Sequence, residues 1–263
     1  MIVCKSPAEV ERMRLANELV ADVLERLGAL VAPGVTTLDL DRAAEAWVRA
    51  AGAEPAFKGY RGFPATLCTS VNHQVVHGIP SKKTVLREGD IVSVDIGVKL
   101  DGYYGDCAAT FAVGCVGEDV QLLLRVTRES LERGIAAVRV GGRVSDIGHA
   151  VQSWVEQFGF SVVREYVGHG VGTALHEEPQ VPNYGPAGRG PRLQEGMVLA
   201  IEPMVNAGRP AVKVLEDGWT AVTRDGSWSA HFEHTVAVTR EGADVLTRSR
   251  TMRDAGWRVA AGA

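Results

Sequence analysis

A stretch of twenty residues in the first half of this chain returns, altered, 107 positions later. Residues 34–53 (GVTTLDLDRAAEAWVRAAGA) lie over 141–160 (GGRVSDIGHAVQSWVEQFGF), and Gly34/Gly141, Asp39/Asp146, Ala43/Ala150, Trp47/Trp154, Val48/Val155 and Gly52/Gly159 coincide. Solenoid periods are roughly 20–50 residues, so this one implies a duplicated half instead. Helix signals precede strand signals in each half. Ser6, Pro7 and Glu9 form a helix start with a capping box. Val10, Met13, Val20, Leu24 and Leu27 then carry an amphipathic helix to about Val31. A second helix runs from about Thr37 or Leu38 to Ala51 and closes on Gly52. In the second half the periodicity predicts helices over about 118–138 and 144–158, then short strands around 161–168, 196–206 and 230–239. The fold class expected is α+β: pseudo-two-fold duplicated helix-helix-strand halves, about 1–115 and 116–250, around one antiparallel sheet in a single domain, 1–263.

Composition narrows the function. Of 263 residues, 46% are hydrophobic and 23% charged, a globular balance that excludes disorder. A net charge of −4 gives no electrostatic reason to expect nucleic acid or an anionic membrane as partner. No apolar run reaches 18 residues, and no basic segment followed by an apolar one opens the chain. Cys4, Cys68, Cys107 and Cys115 form no C-x-x-C and are too few for a disulfide framework, so a reducing, cytoplasmic compartment is expected.

Charged residues stand where strands should be apolar. Residues 91–98 (IVSVDIGV) and 103–113 (YYGDCAATFAV) flank Asp101-Gly102, a hairpin signal. A two-residue turn there sets Asp95 opposite Ala108 and Asp106 opposite Gly97, which makes the two aspartates diagonal neighbours on one face. Two carboxylates so placed repel each other unless a positive group lies between them. Glu202 ends another apolar run, Glu233 interrupts a third, and His169 sits between glycines that would let backbone crowd a ligand. Four carboxylates and one imidazole suit two divalent metal ions of the Mn, Fe, Co or Zn kind rather than a cysteine-bound structural zinc.

These residues stand in motifs that resemble the type I methionine aminopeptidases in their short bacterial form, over essentially 1–250. The motifs are VNHQVVHGIP (71–80), VDIG (94–97), GDCA (105–108), GHGVG (168–172), LHEEP (175–179), AIEPM (200–204) and FEHT (232–235). The resemblance implies the pita-bread fold and a hydrolase that removes the initiator methionine when the second residue is small. It implies Asp95, Asp106, His169, Glu202 and Glu233 as metal ligands, with Asp106 and Glu233 bridging. It also implies catalytic roles for His77, His176 and Glu202: a histidine can donate to the developing oxyanion while Glu202 shuttles a proton. Tyr60, Phe63, Cys68 and Trp219, with His77 and His176, would bind the substrate, aromatic edges suiting a thioether. Phe57 and Leu175 depart from the common residues of the pocket. His73, His149, His231 and His234 are read as structural, His234 because it alternates with Glu233.

Expected partners are nascent polypeptide N-termini, met transiently at the ribosome by a monomer that lacks an N-terminal extension domain. Ile2 is large and β-branched, so the enzyme is expected to keep its own Met1. The competing readings are an X-Pro aminopeptidase or prolidase of the same fold, which normally carries an extra N-terminal domain, and a metal-free pita-bread binding module.

Overall fold

In the computed structural model, which describes residues 1–249, the first half contains α1 (Pro7–Leu30), α2 (Thr37–Ala50), β1 (Glu54–Pro55), β2 (Leu67–Val71), β3 (Gln74–Val76), β4 (Ile91–Leu100) and β5 (Tyr103–Ala112). The second half repeats the order. It has α3 (Glu118–Ala136), α4 (Val144–Val155), β6 (Ser161–Val162), β7 (Gly168–Gly170), β8 (Glu177–Val181), β9 (Val198–Ile201) and β10 (Met204–Asn206). After these come β11 (Val212–Val214), β12 (Ala221–Thr223), β13 (Ser229–His231), β14 (His234–Thr239) and β15 (Gly242–Val245).

The 107-residue offset survives in hydrogen bonds. Two isolated bridges, Thr36 with Val85 and Arg143 with Arg192, are related by it at both ends. So are the bonds from Leu86 N–H to Val35 O and from Leu193 N–H to Gly142 O. At each second-helix start an aspartate caps the chain: Asp39 accepts from Thr36 N–H at 3.1 Å, and Asp146 from Arg143 N–H at 2.8 Å.

Side-chain alternation separates two faces. Val92, Val94 and Ile96 of β4 and Cys107 of β5 pack with Val20, Leu24 and Leu27 of α1. Leu199 and Ile201 of β9 and Val236 and Val238 of β14 pack with Leu131 and Ile135 of α3 and Ile147 of α4. Each fully buried Leu or Ile contributes roughly 1.5–3 kcal/mol to this helix-on-sheet packing. Asp95, Asp106, Glu202 and Glu233 take the alternate positions and turn away from the helices.

Three sequence expectations need correction. The runs around 196–206 and 230–239 are each two strands, broken at Glu202-Pro203 and Phe232-Glu233, and 161–168 holds only β6 before β7 begins. Proline cannot donate to a ladder, which accounts for the first break. Among the described residues, hydrogen bonding divides the strands, all antiparallel, into four sheets rather than one. The largest two are β1-β4-β2 with β5 beside β4, and β15-β14-β9-β7-β8.

These two sheets join where β5 crosses the segment from β13 to β14. Glu233 N–H donates to Ala108 O at 2.9 Å. On either side, Thr235 Oγ1 donates to Asp106 O and Thr110 Oγ1 to His231 O, both at 2.8 Å. Among the described residues, no helix is long and apolar enough to cross a membrane.

Candidate metal centre and its pocket

The hairpin register is the one expected: Asp95 lies opposite Ala108 and Gly97 opposite Asp106. Asp106 is buried, its N–H bonded to Asn17 Oδ1 of α1 at 3.3 Å. Glu202 stands at the break after β9, where Asn183 Nδ2 donates to its carbonyl at 3.0 Å. His169 comes from β7, and its Nδ1 lies 2.9 Å from Gly170 O. A carbonyl can only accept, so Nδ1 carries the proton and the Nε2 lone pair faces the acids. Nε2 is 3.8 Å from Asp106 Oδ2 and 3.6 Å from Glu202 Oε1. Ligand atoms of Asp106, His169 and Glu233 all lie within 4.8 Å of one another.

Gly168 and Gly170 serve the neighbouring strands, not a ligand as expected. A Cβ on Gly168 would strike Ala200 O, and one on Gly170 would strike Glu178 O.

The electrostatics are those of a site built for cations. Asp95 Oδ1, Asp106 Oδ1 and Glu233 Oε1 are buried with no hydrogen-bond partner among the described residues. Burial pushes Asp95 up to about 7. Burial, reinforced by neighbouring carboxylates, holds Asp106, Glu202 and Glu233 well above the usual carboxylate range. Burial drives His169 down to about 3, so it is a neutral donor of a lone pair rather than a counter-charge. Orphaned acid oxygens around a neutral imidazole fit a hard or borderline divalent ion.

Above this floor lies a cavity of about 160 Å³. All eleven residues expected in the site line it: Asp95, Asp106, His169, Glu202 and Glu233; His77 and His176; Tyr60, Phe63, Cys68 and Trp219. Phe57, Leu175 and Arg61 line it too. Phe57, Phe63, Ala65, Cys68 and Leu175 form one apolar cluster beside the acids. Phe63 meets Trp219 edge-on at 5.1 Å.

His176 is stacked on Tyr60, whose hydroxyl lies 2.9 Å from its Nδ1, and its ring centroid is 4.2 Å from that of His169. His77 sits in left-handed backbone (φ 60), strain that a side chain aimed at a site accounts for, and it contacts Tyr166 and Trp219 edge-on. Burial lowers it to about 4. The loop carrying His176 is fastened from the N-terminus: Lys5 Nζ donates to Glu177 Oε2 at 2.6 Å, while Lys5 N–H bonds to Gly196 O at 2.7 Å.

The profile of metallopeptidase family M24 matches residues 11–240. Methionine aminopeptidase 1 of Bacillus subtilis (strain 168) is 55% identical over 248 residues, which is 94% of this chain and 100% of that protein. The chain belongs to the methionine aminopeptidases of family M24. The crystal structure of methionine aminopeptidase from Thermotoga maritima superposes on this family member with a TM-score of 0.93 at 50% identity, covering 95% of this chain and all of that one. A prolidase from Pyrococcus furiosus (TM-score 0.76, 24% identity, 94% of this chain, 66% of that one) shares the fold. Membership in a metallopeptidase family and the carboxylate-imidazole floor together point to divalent metal in this aminopeptidase.

Two site residues escaped the sequence reading. Arg61 gave no signal before the turn at Tyr60–Gly62 was known to form the pocket wall. His231 did give one: it lies two residues from Glu233, so alternation along the sequence sets the two on one face, and its Nε2 is 3.7 Å from Glu202 Oε2.

Proposed function

We propose that this chain hydrolyses the first peptide bond of polypeptides that begin with a free methionine and carry a small second residue. The observation that carries the reading is the continuity of one apolar, aromatic pocket with a floor of buried carboxylates that have orphaned oxygens. Asp95, Asp106, His169, Glu202 and Glu233 would hold divalent cations here; Co, Mn, Fe or Zn meets the donor set. Such ions supply Lewis acidity to the scissile carbonyl and to water.

The chain's own residues do the rest. Phe63, Cys68, Tyr60 and Trp219 enclose the methionine side chain and exclude water. Tyr60 holds His176 Nδ1, which frees Nε2–H to donate to the carbonyl oxygen as charge develops. His77, beside Trp219 in the pocket lining, would contact the scissile peptide, and Glu202 accepts a proton from water and returns it to the leaving amine. The substrates of this reading are newly made polypeptides, met at the ribosome in the cytoplasm by a monomeric enzyme.

His176→Ala should lower kcat by about 10²-fold with KM little changed, because a donor to the oxyanion acts in the transition state. Tyr60→Phe should give a smaller fall of the same kind. A rise in KM alone would mean ground-state binding instead.

The discriminating assay compares Met-Ala-Ser with Ala-Pro-Ala on metal-loaded protein. Rapid release of methionine with no cleavage before proline is expected. Preferential cleavage of Ala-Pro-Ala would favour the prolidase-like reading.

A further inference from the structure

We propose that His231 is a positioning residue for Glu202, its imidazole N–H holding one carboxylate oxygen so that the other is presented to the reaction centre. This rests on the reading that places Glu202 there.

Three observations converge. First, the two oxygens of Glu202 face different imidazoles: Oε1 is 3.6 Å from His169 Nε2 and Oε2 is 3.7 Å from His231 Nε2. Second, His231 is 1% exposed, and its Nε2 finds no hydrogen-bond partner among the described residues. A buried polar nitrogen is normally satisfied, and Glu202 Oε2 is the acceptor it faces. The gap exceeds an N–H···O bond, about 2.7–3.2 Å, by an amount that a small rotation of the Glu202 carboxylate closes.

Third, the strand crossing places His231 by symmetry. Asp106 meets Thr235, Ala108 meets Glu233 and Thr110 meets His231, so a two-fold axis runs between Ala108 and Glu233. The axis exchanges Asp106 with His231 and Thr110 with Thr235. Asp95 and Glu202 are in turn related by the 107-residue repeat. His231 therefore stands beside Glu202 as Asp106 stands beside Asp95: one half of the fold puts a ligand in this place, the other an orienting imidazole. Its backbone is fixed, since Thr110 Oγ1 accepts from His231 N–H at 2.9 Å and donates to its carbonyl.

The test uses His231→Leu and His231→Gln beside Glu202→Gln, all in the full chain. Steady-state turnover of Met-Ala-Ser, calorimetric titration of the metal-stripped proteins with Mn²⁺, and melting of the stripped proteins are measured. For His231→Leu, kcat and Mn²⁺ affinity should each fall by about 10–100-fold with KM nearly unchanged. His231→Gln should recover most of both, because its amide N–H reaches the same oxygen. The stripped variants should melt together.

Full kcat and affinity in His231→Leu would overturn the proposal. So would equal losses in the Leu and Gln variants that track their melting temperatures, which would mean packing alone. If Glu202→Gln is inactive while His231→Leu is unimpaired, only the role of His231 fails. If Glu202→Gln is fully active, the assignment of Glu202 fails first.

Discussion

Asp106→Asn should reduce peptide hydrolysis by at least about 10³-fold, the loss of several kcal/mol of charge stabilisation at the reacting carbonyl. The same change should raise the melting temperature of the metal-stripped protein at pH 8. Both effects follow from one position. Asp106 is 4% exposed, its main chain is held by Asn17 and Thr235, and its Oδ1 has no partner among the described residues. The amide keeps the shape and removes one of four like charges, which weakens cation binding and relieves repulsion in the empty cluster. Peptidase assays, metal analysis and calorimetry on one preparation check all of this. Native turnover with a full complement of metal would show that Asp106 does not hold the ions.

Chelation of the metal should destabilise the protein, and more so at pH 8 than at pH 5. With free metal 1,000-fold above its Kd, bound metal contributes about 4 kcal/mol, or roughly 10 °C in Tm for a chain of this size. The pH dependence comes from the raised carboxyls: Asp95 at about 7, and Asp106, Glu202 and Glu233 also well above their ordinary values through burial and mutual repulsion. A folded state with raised acid pKa values binds more protons than the unfolded chain. Its stability is therefore full below the unfolded values near 4 and declines as pH climbs through about 7. Bound cations offset the charge and flatten that decline. Differential scanning calorimetry with and without chelator measures the gap; a gap that narrows toward pH 8 contradicts the assignment.

The parts of this fold legible in sequence were those governed by local chemistry. The turn at Asp101-Gly102 fixes the pairing of Asp95 with Ala108 by counting alone, and Ser6 and Glu9 mark the first helix start. Charges in apolar runs exposed the floor of the site, because an unpaired buried carboxylate needs a reason. Pairings between distant segments were not legible: β3 lies beside β12 some 150 residues away, and nothing local announces it. The glycines around His169 were misread because the atoms they make room for, Ala200 O and Glu178 O, are supplied by other strands. His231 was passed over although the alternation that set His234 aside places it on the face of Glu233. Its neighbour Glu202 comes from a different strand end, so nothing nearby in sequence suggested a partner.

The half-buried Lys5–Glu177 pair has a consequence for the order of folding. It spans 172 positions, and the bond from Lys5 N–H to Gly196 O spans still more. Contacts this distant in sequence form late, after nearer ones have shortened the loops to be closed. During synthesis the first half can gather α1 and α2 onto the β4–β5 hairpin as soon as it emerges, while Lys5 lacks its two distant acceptors until Glu177 and Gly196 exist. The seam that fastens the His176 loop thus closes near the end of assembly, and a segment made early is among the last to find its place.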